Sequence, residues 1–429
     1  MASKPLTAII VGAGHRADIY ASYALENPDK LKIVGVADPN ETRRRIISEK
    51  YNLTKSQCFY DAAEVASKEK FADVVINGTM DRQHVETSIP LLKKGYDILL
   101  EKPFALNAGE ANELIKVTKK YNRKIMICHV LRYAPFYMSI KNHILNGDIG
   151  EIISIQQTEH VSYHHMMTSF VRGKWKSPKE CGASMLLAKC CHDIDLMMWL
   201  NSGVVPFYVS SFGSDFQFAK DKKPKNAGTR CLNDCKISDE CPFSAEVNYI
   251  DMPRWDFYAW EGLEGQELTE TIKRQSLKTD NEYGKCVWEC NRDKNIDHQS
   301  VNVFFANGST GILNLVGGAS KAERNIHIIG TKGEIKGVFD DSKYVLRKIA
   351  VKEKIGYTEK LFDLKIDGDK SGMTGGHGGG DLLIVQDFVN YVSGNDTSFA
   401  LSSVEDSLNS HLIIFAADKA MRTKSVQRI

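Results

Sequence analysis

The stretch "LTAIIVGAG", residues 6–14, decides the fold: an apolar, β-branched run that breaks off in glycines. Behind it, "RADIYASYALEN" (16–27) has the spacing of an amphipathic helix, with Ile19, Tyr23 and Leu25 expected to turn inward. The alternation then repeats. "KIVGVAD" (32–38), "ADVVING" (72–78), "DILLEKP" (97–103) and "KIMICH" (124–129) read as strands. "ETRRRIISEKY" (41–51), "VETSIPLLKKG" (85–95) and a segment from about residue 107 to 121 read as the helices between them. Apolar strands alternating with helices of this length predict βαβ units and a parallel sheet covered on both faces. We therefore expect an α/β, doubly wound domain over residues 1–126.

The first turn of that domain, "GAGHRA" (12–17), carries Gly12 and Gly14, with Ala17 where a third glycine often stands. Such glycines allow a tight turn and let backbone N–H groups, here near His15 and Arg16, approach a pyrophosphate. Asp38 ends the second strand, where a carboxylate accepts hydrogen bonds from ribose hydroxyls and repels a 2′-phosphate. This predicts NAD in preference to NADP, although Arg43, Arg44 and Arg45 follow closely. In open α/β sheets ligands lie beyond the carboxyl ends of the strands. That rim also carries "NGTMDRQH" (77–84), with Thr79 and His84, and "EKP", with Glu101 and Lys102. Lys102 is expected to face the nicotinamide end and exchange a proton with a substrate hydroxyl, while Glu101 bonds the cofactor or the next turn.

With "VGAGHRA", the "AD" after the second strand, "EKP" and "HDIDLMMWL" (192–200) in this order, the chain resembles the glucose–fructose oxidoreductase / inositol dehydrogenase / rhizopine-catabolism (Gfo/Idh/MocA) family of nicotinamide-dependent oxidoreductases. The resemblance spans essentially the whole chain. It implies a Rossmann domain, then an α+β domain with a large, mostly antiparallel open sheet that often makes subunit contacts, giving a homodimer or homotetramer. It also implies sugar, cyclitol or related substrates. His192 matches the family's active-site histidine, the general base, and Asp195 its partner carboxylate. Many members carry an aspartate four residues before that histidine. Here Ala188 stands there, followed by Lys189, which is a candidate substrate contact instead.

Beyond residue 126 the rhythm changes to strand-like runs separated by turn signals such as Asn307-Gly308 and Lys332-Gly333, consistent with an antiparallel sheet over residues 127–429. A buried helix is expected to end near Gly203, with His192 and Asp195 on one of its faces. Arg132, Tyr133, His164, Arg172 and Trp175 are further candidates for binding a polyol, the tryptophan by offering its ring to a sugar face. The spacing of His160 and His164 suits a helix, whereas the flanking pattern is strand then loop, so a metal is not expected there.

A cysteine-rich insert covers about residues 228–291. Cys231, Cys235 and Cys241, with Cys286 or else Cys290 as fourth ligand and Cys286 preferred, have the number of thiolates that a structural zinc takes; free buried thiols are the alternative. Farther on, six glycines surround His377 in a segment read as a loop, and a helix is expected from about Asp381.

The composition agrees with an enzyme of this kind. A net charge of +2 over 429 residues gives no electrostatic pull toward nucleic acid or membrane. No leader-like start or run of eighteen apolar residues is present, so a cytoplasmic location is the expectation. The function expected is hydride transfer between a secondary hydroxyl and NAD. Two alternatives stay open: redox-assisted glycoside cleavage with catalytic NAD, and a non-catalytic nucleotide-binding sensor. Intact "EKP" and His192 argue against the sensor.

Overall fold

The computed structural model describes residues 4–364 and 379–429. His377 lies outside the described residues. The chain divides into two compact units: residues 1–147, 194–202 and 364–415, and residues 148–193, 203–363 and 416–429.

The first unit is built on six parallel strands: β1 (Leu6–Val11), β2 (Leu31–Ala37), β3 (Cys58–Phe59), β4 (Val74–Asn77), β5 (Asp97–Leu100) and β6 (Ile125–Ile127). They lie in the order β3-β2-β1-β4-β5-β6. Ile9, Val75, Ile98, Leu100 and Ile127 are fully or almost fully buried and belong to one core cluster, as expected of strands covered on both faces. The strand order reverses between β1 and β4, so the crevice that binds ligands in such sheets opens beyond Val11 and Asn77. The two-residue β3 was not legible in the sequence. The first helix also differs from expectation. It breaks into His15–Ala21 and Tyr23–Glu26, with Tyr20 and Tyr23 buried and Leu25 52% exposed. The Ala108–Lys120 helix is started by Asn107, whose side chain accepts the Glu110 N–H at 3.0 Å.

The second unit carries a nine-stranded sheet: β7 (Ile152–Ser162), β8 (Pro206–Ser214), β9 (His298–Phe305), β10 (Thr310–Ala319), β11 (Glu323–Gly330), β12 (Gly333–Val338), β13 (Lys343–Ile349), β14 (Tyr357–Asp363) and β15 (Gln427–Arg428). Their order is β14-β13-β12-β11-β7-β10-β9-β8-β15, antiparallel except between β7 and β10. The Asn307-Gly308 turn joins β9 to β10 with Gly308 at φ +88°, which explains the glycine. The helix Met185–Leu200 holds His192 and Asp195, and the division between the units falls inside it, after Asp193.

Candidate active site

At the crevice of the first unit, Gly12 has φ +79°, and a Cβ there would lie 2.6 Å from the Thr79 nitrogen, so both backbone conformation and space demand glycine. Gly14 differs. A Cβ on it would meet nothing within 4 Å, leaving open space in front of the turn. Asp38 fixes this turn: its Oδ2 accepts the Ala13 N–H at 2.7 Å and its Oδ1 the Asn40 N–H at 2.8 Å. The open turn, with a carboxylate braced beside it, fits the pyrophosphate and ribose of a dinucleotide. His15 is exposed at the first position of the following helix. Arg44 donates to the Asp38 carbonyl, and Arg45 pairs with Glu49 at 3.0 Å on its own helix.

Arg16 and Glu101 turn toward each other. Arg16 Nε lies 3.1 Å from Glu101 Oε1, and the same guanidinium pairs with Asp381. Tyr20 donates to Glu101 Oε1 at 2.6 Å, and the Lys102 N–H to Glu101 Oε2 at 2.8 Å. Burial alone raises the pKa of Glu101; the charges of Arg16 and Lys102 and the Tyr20 hydrogen bond outweigh it and hold the carboxyl below its ordinary value. Glu101 therefore braces the loop that presents Lys102, and Lys102 itself is half-buried.

The Lys102–Pro103 peptide is cis. Beyond it, His84 Nδ1 is 2.7 Å from the Pro103 carbonyl and His84 Nε2 2.8 Å from the Thr79 carbonyl. Thr79 in turn donates its hydroxyl to Asn77 Oδ1 at 2.8 Å. On the other side, the Phe104 N–H donates to His411 Nε2 at 3.2 Å, and the two rings lie 4.1 Å apart. Thr79 and His84, expected to touch cofactor, thus also tie two rim loops together.

Arg132 and Tyr133 are both buried and paired within this unit. Arg132 is buried and makes a bidentate pair with Asp195, Nε–Oδ2 2.7 Å and Nη2–Oδ1 2.6 Å. Tyr133, also buried, donates to Asp387 Oδ2 at 2.7 Å. Arg132, Tyr133 and Asp195, expected to bind substrate or assist His192, are thus engaged in buried side-chain pairs of this unit. Burial raises the Asp195 pKa, with Arg132 opposing. His129, which the sequence reading passed over, lies 3.5 Å from Asp195. Its pKa is pushed well down, by burial first and then by Arg132 and Lys102, so the ring is neutral.

In the second unit His192 is 5% exposed on the Met185–Leu200 helix. Lys189, one turn earlier, lies 3.2 Å from Glu159 Oε1. Glu159 Oε2 and Asp193 Oδ1 share Arg324, at 2.6 and 3.0 Å. Burial, with the charge of Glu159 added, pushes the Asp193 pKa up to about 6 against the opposing pull of Arg324. His164 Nε2 lies 3.0 Å from the Ser162 hydroxyl. Trp175 is half-buried, with its ring 5.9 Å from that of Tyr258.

Arg172, a polyol-binding candidate in the sequence, is instead 1% exposed. Its guanidinium donates to the Lys285 and Phe243 carbonyls at 2.7 and 2.8 Å and to Cys231 Sγ at 3.4 Å. All ten cysteines are free thiols. Among the described residues no three His, Cys, Asp or Glu side chains group so as to hold a metal, so the zinc set Cys231, Cys235, Cys241 and Cys286 is not assembled. The Arg172 guanidinium lies against Cys231 instead. Among the described residues, no helix is long and apolar enough to cross a membrane.

Comparison with known proteins agrees with this geometry. Residues 6–129 match the family model described as "Oxidoreductase family, NAD-binding Rossmann fold", and residues 141–428 the one described as "Oxidoreductase family, C-terminal alpha/beta domain". The oxidoreductase YteT of Bacillus subtilis is 25% identical over 366 residues, 83% of this chain and 81% of that protein. The D-glucoside 3-dehydrogenase of Escherichia coli is 30% identical over 153 residues, 35% of this chain and 42% of that protein. Among solved structures, an Agrobacterium radiobacter oxidoreductase in complex with NAD+, L-tartaric acid and magnesium superimposes with a TM-score of 0.68 at 14% identity, covering 99% of this chain and 98% of that one.

Proposed function

Starting from a chain that belongs to the Gfo/Idh/MocA family of NAD-binding oxidoreductases, we propose that it transfers a hydride between NAD and a secondary hydroxyl of a sugar, cyclitol or sugar derivative. The observation that carries this reading is the rim of the first unit, where the open Gly14 turn, the braced Asp38 and the Glu101-supported loop of Lys102 share one set of strand ends. The name of the E. coli relative, D-glucoside 3-dehydrogenase, supports the substrate class.

NAD, when bound, supplies the hydride acceptor. Gly12, Gly14, His15, Arg16, Asp38 and Thr79 would hold it. The carboxylate of Asp38 favours NAD over NADP. Lys102 hydrogen-bonds the reacting hydroxyl and His192 takes its proton, so that the electron pair left on the oxygen closes the C=O bond as the C–H bond breaks and the hydride departs. Lys189 and His164 are the proposed substrate contacts of the second unit, with Trp175 offering ring surface. A second copy of the chain is proposed to cover the outer face of the nine-stranded sheet. Gln156, Ile312, His327 and Lys336 line a cavity of about 550 Å³ there, and Leu361 is 60% exposed beside it.

The test is to mix protein with NAD and a panel of cyclitols, aldoses and glycosides, following NADH absorbance and free sugar beside a Lys102→Ala variant. NADH growth lost in the variant is the expected result. Sugar release without net NADH would replace the dehydrogenase with redox-assisted glycoside cleavage.

A further inference from the structure

One peptide group, joining Pro103 to Phe104, is held at both ends by buried histidines of the first unit. Its C=O faces His84 Nδ1 at 2.7 Å, and its N–H donates to His411 Nε2 at 3.2 Å. The outer nitrogens continue the series: His84 Nε2 lies 2.8 Å from the Thr79 carbonyl and His411 Nδ1 3.1 Å from the Ser407 carbonyl. His84 is 1% and His411 0% exposed. Carbonyl oxygens only accept, so His84 bonds whichever carbonyl faces its protonated ring nitrogen and reaches both only when both nitrogens carry hydrogen, while His411 donates through Nδ1 and accepts through Nε2. The result is a continuous series of short polar contacts from the loop after β4, through the loop after β5, to the Leu408–Thr423 helix.

β5 ends at Leu100, so side chains satisfy this peptide's polar groups. Phe104, fully buried with its ring on His411, leaves the loop little freedom to slide. Lys102 precedes the gripped peptide by one residue.

We propose that His84 and His411 are positioning residues that fix the Lys102 amine by clamping the Pro103–Phe104 peptide from both sides, and that they link the Thr79 loop to that amine. The catalytic consequence rests on the role proposed for Lys102; the clamp itself does not.

The test uses isosteric pairs. Asparagine places an amide where Nδ1 stands and glutamine where Nε2 stands. His84→Asn therefore keeps the bond to Pro103, and His84→Gln keeps only the one to Thr79. At the other end His411→Gln keeps an acceptor for the Phe104 N–H, and His411→Asn keeps only the Ser407 side. The readout is the rate at which acetic anhydride acylates Lys102 in the full-length protein, relative to its other lysines, by peptide mass spectrometry. No substrate is needed.

Loss of a buried bond should raise the Lys102 rate at least about threefold in His84→Gln and His411→Asn, with the other lysines unchanged, while His84→Asn and His411→Gln stay within about twofold of the parent. On any substrate the panel yields, the first two variants should also lose kcat. Asparagine and glutamine behaving alike at both histidines, or an unmoved Lys102 in His84→Gln and His411→Asn, overturns the proposal. Should one variant fail to fold, the pair at the other histidine interrogates the same peptide. Inactivity on every polyol together with the discriminating acylation pattern would sink the dehydrogenase reading and leave the clamp standing.

Discussion

Arg132 and Asp195 form a bidentate ion pair with the two side chains 4% and 1% exposed. A pair this deep is worth little against a packed apolar replacement, yet removing one member strands a buried charge. Arg132→Met is therefore expected to cost about 3–5 kcal/mol, read as a lower urea midpoint. Arg132→Met with Asp195→Leu should recover most of that loss. A double variant as unstable as the single one would show that the pair does more than neutralise itself.

Gly12→Ala places a side chain in a left-handed backbone and drives its Cβ to 2.6 Å from the Thr79 nitrogen. NAD binding, followed by fluorescence titration, should weaken by about tenfold or more if the turn shifts by the cost of one such strain. Gly14→Ala meets no protein atom, so any loss of NAD affinity there reports the cofactor itself. Unchanged affinity in both variants would remove the turn from the cofactor site.

Acid should destabilise the protein through its buried histidines. Burial, aided by His129, pushes the His411 pKa from 6.5 down to about 3. The unfolded chain then binds a proton the folded one refuses, so stability present above pH 6.5 is lost as pH falls toward 3, by about 1.4 kcal/mol per pH unit for one such group. Asp193 acts oppositely. With its pKa raised from 3.8 to about 6, it favours the folded state as pH falls through that window. Urea unfolding at several pH values should show a shallower acid loss in His411→Gln and a steeper one in Asp193→Asn.

Glu101→Gln removes the charge that Arg16, Tyr20 and the Lys102 N–H share. A cost of about 1–3 kcal/mol is expected at neutral pH. Because the native carboxyl titrates below 4.5, that advantage is fully present above pH 4.5 and fades as pH falls through the lowered value, where parent and variant should converge. A constant gap down to low pH would mean that shape, not charge, holds the loop.

Much of the site was legible because local pattern carries it. "VGAG", "AD" and "EKP" each end a strand, and strand ends in a parallel sheet fall on one rim. The supports of that rim were not legible. His411 is 307 positions from Phe104, and Asp381 is 365 from Arg16. No periodicity or spacing announces such a contact. "SHLII" looks like any helix of mixed polarity. The partners of Arg132 and Arg172 were hidden for a related reason. An arginine after a strand or within a loop reads as a ligand contact until its partners are known, and here those are Asp195 and a set of carbonyls. For His129 the sole available hint was its place at the end of β6 beside the rim.

The first sheet also depends on the far end of the chain. Ile127 donates its N–H to the Ser402 carbonyl at 2.8 Å, Ser402 returns its hydroxyl to the Ile127 carbonyl at 2.6 Å, and Met126 bridges Ser403. Val404 belongs to the same core cluster as Ile9 and Leu100. On the ribosome, strands that emerge early must therefore wait for more than two hundred and fifty further residues before their last edge is closed. The nucleotide-binding sheet is thus completed only by residues made long after its own strands, and a chain cut short before residue 402 would display an open strand edge to every neighbour it meets.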